Sequence, residues 1–358
     1  MEFGILFTSH PNAEAEPYPH RDVHARVTAE IQLADRLGYD TASVAEHHFS
    51  NKYGIMPDVF AYMSYLAAKT ERIKLGAAVV TLPLYEPVRV AENMAFVDIL
   101  SGGRLRLGLG SGYRPYEFEG LGRDFDARRD IQEEAIELIL KLIHDRRVDF
   151  QGEYFKARIG DDYEVFPVSL QQPHPPLYMA AGTERSIGYA ARHGFGLMLS
   201  SLPAAEALAK QIHFYRGLTA EAPAPLNANP ACGQVDIARW VYVAETDEAA
   251  RAESAEGIVR HIQNFMAKGT AGYLGRVSEK EQGRVLDYDE LLATTLLHGS
   301  PETVTAKLRE LQATTGLDSM LLHYPPYYGH ENAMKSLRLF AERVMPEFRD
   351  RSASAAAD

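Results

Sequence analysis

The segment Ser43-Val44-Ala45-Glu46-His47-His48-Phe49 places a carboxylate and two adjacent imidazoles directly after a short apolar run. Histidine titrates closest to neutral pH, so Glu46, His47 and His48 are candidates for acid–base work. Successive residues of a strand point to opposite faces, so continued strand geometry would turn only one of the two rings to a given side. A plainer role, imidazole nitrogens satisfying backbone groups at a strand end, fits the local spacing equally well. Metal chemistry is disfavoured. Barrel hydrolases that bind metal set a His-x-His on one strand face, and these histidines are consecutive. His20 and His24 are four apart, but His20-Arg21-Asp22-Val23-His24 lacks the His-Glu-x-x-His arrangement. No metal site is expected.

Three further segments could bind rather than react. Gly108-Leu109-Gly110-Ser111-Gly112 invites a dinucleotide reading, but the sixth position is Tyr113, and Pro115 follows. The Rossmann fingerprint needs a third glycine opening a helix at once, so that reading is rejected. The glycines still allow a flat ring or a phosphate to approach the backbone, and a plain turn is equally compatible. Ala181-Gly182-Thr183-Glu184-Arg185-Ser186 ends a strand and starts a helix. Free N–H groups there could cradle a phosphate, or Thr183 could be an ordinary N-cap. Gly76 to Pro83 is built of small residues, which leave room for a flat ligand or simply pack tightly.

These segments sit at the ends of regularly alternating elements. Strands are expected at Glu2–Thr8, Thr41–Ala45, Ile73–Val80, Leu105–Leu109, Pro176–Ala181, Gly196–Ser200, Val235–Ala244 and Ser319–Tyr324. Helical periodicity fills the intervals: 23–37, 57–69, 87–100, 126–144, 183–193, 203–219, 247–266, 301–315 and 331–344. A surface hairpin is expected over Val148–Phe155. Eight β–α units with short apolar strands predict an α/β fold, a (β/α)8 TIM barrel. Lys268–Asp289 has no clear period and lies between strands 7 and 8, where it reads as a lid over the carboxyl-end mouth. One domain over 1–350 and a disordered Ser/Ala-rich tail, 351–358, are expected.

Composition narrows the partners. The net charge of −12 disfavours nucleic acid, and one cysteine, Cys232, suits a reducing cytoplasm. No signal peptide or membrane-length apolar run is read.

Taken in order, Glu46-His47-His48-Phe49, Gly76 to Pro83, Pro87-Val88-Arg89 with Ala91-Glu92, and Ser101-Gly102-Gly103-Arg104 before the glycines resemble the bacterial luciferase-like monooxygenase family. The resemblance runs over nearly the whole chain. It implies a barrel binding FMN at its mouth, with reduced flavin supplied by a separate reductase and O2 transferred to a small organic substrate. It places the catalytic histidine on His47, oriented by Glu46 or His48. The flavin-supporting segment falls on Ala77, Ala78 and Val79, with a non-prolyl cis peptide at Ala78–Val79. Cofactor contacts fall on Gly110, Ser111, Gly182, Thr183 and Ser186. Luciferase has a reactive cysteine and a phosphate-binding arginine where this chain has Gly110 and Ser111, so Arg114 is a candidate replacement charge. Met56, Tyr113 and His323 are expected to line the substrate pocket. A cytoplasmic homodimer joined through the helices near strands 2 and 3 is also implied. The rival readings are a deazaflavin-dependent hydride transferase and a flavin-binding protein without turnover.

Overall fold

Short runs of Val, Leu, Ile and Ala, each bounded by Gly, Asp or Pro, become strands; the longer 3.6-period stretches become helices. The computed structural model describes residues 1–51, 53–221, 228–266 and 287–349. In chain order the elements begin β1 (Glu2–Phe7), α1 (Pro19–Leu37), β2 (Thr41–Val44), α2 (Val59–Ala67), β3 (Lys74–Thr81), α3 (Pro87–Leu100) and β4 (Leu105–Gly110). Next come α4 (Pro115–Gly120), α5 (Arg128–Asp145), β5 (Val148–Gln151), β6 (Lys156–Ile159), β7 (Leu177–Ala180), α6 (Glu184–Arg192), β8 (Gly196–Leu199) and α7 (Ala205–Thr219). The chain continues with β9 (Val235–Val243), α8 (Asp247–Met266), α9 (Tyr288–Thr294), β10 (Leu297–Gly299), α10 (Pro301–Thr315), β11 (Ser319–His323) and α11 (His330–Leu339).

Strands β1, β2, β3, β4, β7, β8, β9 and β11 pair in parallel, and the β8–β9 and β11–β1 pairings close them into a barrel. All eight expected strands are present, each within two residues of its anticipated bounds. β10 pairs outside the ring with Val241–Val243 of β9. The barrel is thus the expected TIM architecture, with helices packed outside.

Three elements were not anticipated: α4, α9 and β10. The hairpin is real, but its second strand is Lys156–Ile159 rather than a run ending at Phe155. The Glu134 carboxylate accepts the backbone N–H groups of Glu153, Tyr154 and Phe155 at 2.9, 2.9 and 2.7 Å, which turns that stretch into the connection. The expected lid, Lys268–Asp289, lies outside the described residues except for its end, where Asp287 caps α9 by accepting from Asp289 N and Glu290 N. The tail 351–358 also lies outside them. No helix among the described residues is long and apolar enough to cross a membrane.

The floor of the barrel holds an ion pair between Arg106 of β4 and Asp236 of β9, both buried. Arg106 also donates to Thr41 Oγ1 at 3.1 Å and lies over the Tyr178 ring at 4.1 Å. Both charges sit near the amino ends of their strands, far from the mouth, where they serve stability.

Candidate active site

Parallel pairing points all eight carboxyl ends the same way, so the loops after β1, β2, β3, β4, β9 and β11 share one mouth. After β2, Ala45 N donates to Phe7 O at 2.9 Å and His47 N to Met56 O at 3.0 Å, which pins the histidine pair to the rim. Gly54 makes this close approach feasible. A Cβ there would stand 2.3 Å from the Thr8 carbonyl oxygen and 3.1 Å from His47 Cβ.

Each histidine has its own acid. His47 Nδ1 lies 3.1 Å from Glu117 Oε1, and the same oxygen accepts the backbone N–H of His48 at 3.0 Å. His48 Nε2 lies 2.9 Å from Glu46 Oε1, while Glu46 Oε2 accepts Thr81 N at 3.1 Å. The expectation that Glu46 or His48 orients His47 is therefore corrected. Alternation places Glu46 and His48 on one side and His47 on the other, where α4 delivers Glu117. Sequence reading missed Glu117 because it missed α4, although Pro115 at the first helical position with an acid two residues on is a helix-start signal.

The electrostatics assign protons. Burial lowers the His47 pKa, and the Glu117 hydrogen bond and charge oppose this only in part. Burial raises Glu117, but His47 and the His48 N–H outweigh it and hold the carboxyl below its ordinary value. A neutral imidazole donating Nδ1–H to a carboxylate fits both directions and leaves the Nε2 lone pair open. The Tyr113 hydroxyl lies 3.4 Å from that Nε2. For His48, burial is outweighed by the Glu46 bond and charge, which raise its pKa. Burial pushes Glu46 up as well, against the His48 and Thr81 hydrogen bonds and the His48 charge.

β3 and β4 build a shelf beside the pair. The Ala78–Val79 peptide is cis, as expected. A Cβ on Gly108 would meet the Ala77 carbonyl oxygen at 2.5 Å, and one on Gly110 would meet Val79 Cγ2 at 2.4 Å. The space above these glycines, which the sequence offered to a ligand, is filled by the shelf itself. Beside the shelf, after β7, Thr183 and Ser186 form a reciprocal capping box at the start of α6. Thr183 Oγ1 accepts Ser186 N at 3.3 Å, and Ser186 Oγ accepts Thr183 N at 3.2 Å and Gly182 N at 3.4 Å.

The expected wall residues differ in position. Met56 is buried and holds His47 through its carbonyl, Tyr113 flanks His47, and His323 ends β11. His323 belongs to a group of rings whose other members went unnoticed: His10, His261 and Trp240. The His261 centroid lies 5.8 Å from His10, 5.2 Å from His323 and 6.1 Å from Trp240. Trp240 Nε1, both nitrogens of His261 and of His323, and His10 Nδ1 are buried without hydrogen-bond partners among the described residues. Burial pushes His10 and His323 down to about 3, and His261 well below its ordinary value, so these rings are neutral at pH 7. No motif joins His10 and His261, so only folding reveals the group. Among the described residues no set of three His, Cys, Asp or Glu is placed to hold a metal ion. Tyr53 links the two parts of the mouth, with ring centroids 4.6 Å from His47 and 6.3 Å from His261. The Arg114 Cζ lies 4.0 Å over the Tyr53 ring.

A closed eight-stranded parallel barrel with an acid-held imidazole at its carboxyl mouth defines a TIM-barrel enzyme. Residues 1–318 match the luciferase-like monooxygenase family, and the chain belongs to that family of flavin-dependent oxidoreductases. Limonene 1,2-monooxygenase of Rhodococcus erythropolis is 29% identical over 332 residues, 89% of this chain and 80% of that protein. Two matches are more local. An uncharacterised protein, y4vJ, of Sinorhizobium fredii is 34% identical over 170 residues, 48% of this chain and 47% of its own length. An F420-dependent glucose-6-phosphate dehydrogenase of Nocardia farcinica is 35% identical over 176 residues, 47% of this chain and 51% of its own length. Monooxygenase RslO1 from Streptomyces bottropensis superposes with a TM-score of 0.81 at 25% identity, covering 98% of this chain and 100% of that one. The oxygenating constituent of 3,6-diketocamphane monooxygenase from Pseudomonas putida, solved with FMN, gives 0.79 at 20% identity over 98% and 99%.

Proposed function

We propose that this chain is the oxygenase component of a two-component monooxygenase that takes reduced FMN from a separate reductase and oxygenates a small organic substrate. The observation that carries the reading is His47, neutral, buried and held by Glu117 at the mouth of a luciferase-family barrel. The residues fit the cofactor. Ala77, Ala78 and Val79 offer a shelf with no side chain larger than isopropyl for the flavin ring, and Ala78 and Val79 keep partial exposure. Ser111, and Gly182, Thr183 and Ser186 at the start of α6, would hold the phosphate. Nothing stands within 4 Å of a Cβ built on Gly182, so that side is open. Bound FMN would supply the two electrons that activate O2. His47 takes or returns a proton at Nε2, with Glu117 fixing its tautomer and Tyr113 beside the exchanging atom. Glu46 and His48 tie the β2 loop to the end of β3. Met56 and His323 contribute to the substrate walls.

A homodimer would use α2 and α3, where Tyr65, Phe96, Ile99 and Leu100 are large exposed apolar residues. A cytoplasmic location completes the reading. The F420-dependent relative favours one alternative, hydride transfer from a reduced deazaflavin without oxygen. Titration with oxidised and reduced FMN against the deazaflavin, followed by oxygen uptake, separates the two. The proposal expects FMN to bind the more tightly and His47→Ala to lose substrate-dependent oxygen uptake. Preference for the deazaflavin, with anaerobic turnover, would refute it.

A further inference from the structure

Among the described residues Arg106, Arg114 and Arg239 are buried and Arg104 is half-buried, and all but one of these have a counter-charge or carbonyl acceptors. Arg106 has Asp236. Arg239 donates to the Ser201 and Pro203 carbonyls at 2.8 and 2.6 Å. Arg104 donates to the Ile73, Ala67 and Thr70 carbonyls at 2.9, 3.1 and 3.2 Å. Arg114 is the exception. It is 3% exposed, forms no ion pair among the described residues, and leaves Nε and Nη2 without hydrogen-bond partners. It stacks on ring faces, Tyr53 at 4.0 Å, Tyr113 at 5.1 Å and Phe265 at 6.0 Å, and the Tyr113 and Tyr116 hydroxyls are its neutral polar neighbours.

Stacking occupies the faces of a guanidinium and leaves its N–H edges free. Nε and Nη2 are the adjacent nitrogens of one edge, the fork that takes two oxygens of a carboxylate side by side. A buried, uncompensated cation is costly unless a counter-charge arrives. Among the described residues the surroundings do not provide one. His10, His261, His323 and Trp240 offer hydrogen bonds without charge, and Glu117 is engaged by His47 and His48. Sequence position made Arg114 a candidate replacement phosphate contact; two of the rings it stacks on, Tyr53 and Tyr113, instead flank His47.

We infer that Arg114 is the anion anchor of the substrate site, and that the substrate is an organic acid whose carboxylate sits on the Nε/Nη2 edge with its body toward His47 and the neutral histidines. This deepens the flavin-monooxygenase reading and rests on it.

The test compares wild type, Arg114→Met and Arg114→Lys, each checked for folding by circular dichroism and melting. One arm titrates oxidised FMN, dithionite-reduced FMN and riboflavin. The other titrates benzoate, cinnamate and octanoate against their amides on the FMN-loaded protein, read by fluorescence of Trp240, the only tryptophan in the chain. The expected result is that an acid binds wild type more tightly than its amide. The methionine variant loses that acid by roughly ten- to hundredfold, the scale of one charge-assisted pair. The lysine variant recovers part of it, and flavin binding is unchanged in both. Equal binding of acids and amides to wild type overturns the inference, as does an acid preference that survives in the methionine variant. Weaker FMN with unchanged riboflavin would assign Arg114 to the phosphate. Weakening confined to reduced flavin would assign it to the ring. Failure of wild type to bind FMN refutes the flavin reading instead, and the acid–amide comparison is then read on the FMN-free protein.

Discussion

Glu117→Gln tests the logic of the mouth most directly. Glutamine keeps the size of the side chain and one acceptor but removes the charge 3.1 Å from His47 Nδ1. Burial already lowers the His47 pKa, and the carboxylate restrains that shift. Without it, the pKa should fall further, by about 1–3 units, the usual effect of one close opposite charge. The amide can also turn its NH2 toward Nδ1, which moves the imidazole proton to Nε2 and removes the lone pair the chemistry needs. Losing a charge-assisted hydrogen bond is worth about 1.5–3 kcal/mol, so the rate on the alkaline plateau should drop roughly ten- to hundredfold. The sign is fixed by the active form being neutral: activity falls as pH drops through the His47 pKa, so in the variant the acid limb moves to lower pH while the plateau sinks. The assay is the pH profile of substrate-dependent oxygen uptake, with histidine titration followed by NMR in the free protein. Glu46→Gln is the control. It acts on His48 and should leave the position of that limb in place. An acid limb that moves up in Glu117→Gln, or a profile indistinguishable from wild type, would refute the reasoning.

Asp236→Asn should leave Arg106 charged and unpaired in the barrel floor, costing about 3–5 kcal/mol in urea unfolding, while FMN affinity stays intact. Stability should also decline steeply in acid. His10, His298 and His323 are held down to about 3 by burial, against an ordinary 6.5, so their contribution is complete above about pH 6.5 and is lost as pH falls toward 3. Each adds a slope of roughly 1.4 kcal/mol per pH unit in that window, because the unfolded chain takes up a proton that the folded one refuses. His323→Phe, which keeps a ring beside Trp240 and breaks no hydrogen bond, should remove about one proton from the slope measured by pH-dependent urea melts.

The strands were legible because each is a self-contained apolar run between turn residues, and the parallel order follows from their alternation with helices. His47 was legible as a candidate because it ends such a run. Its partner was not, because Glu117 lies seventy positions away in a six-residue helix too short to show a period. The isolation of Arg114 is a property of its surroundings in the fold, and no local spacing encodes the lack of a counter-ion. His10 and His261 look like ordinary single histidines in sequence; β1, β11 and α8 have to meet before they share a space. Small elements such as β10, only three residues long, fall below any pattern a sequence can display.

Closure of the ring by β1 against β11 also fixes when the site can exist during synthesis. His10 leaves the ribosome near the start and His323 near the end, so the polar rings of the mouth come together only after almost the whole barrel has been translated. Until β11 arrives, the nascent chain carries an open sheet with β1 and β9 as unpaired borders, each able to pair with another chain. Chaperone demand and the yield of recombinant protein should therefore respond more to changes in β1, β9 and β11 than to changes in the loops that carry the chemistry.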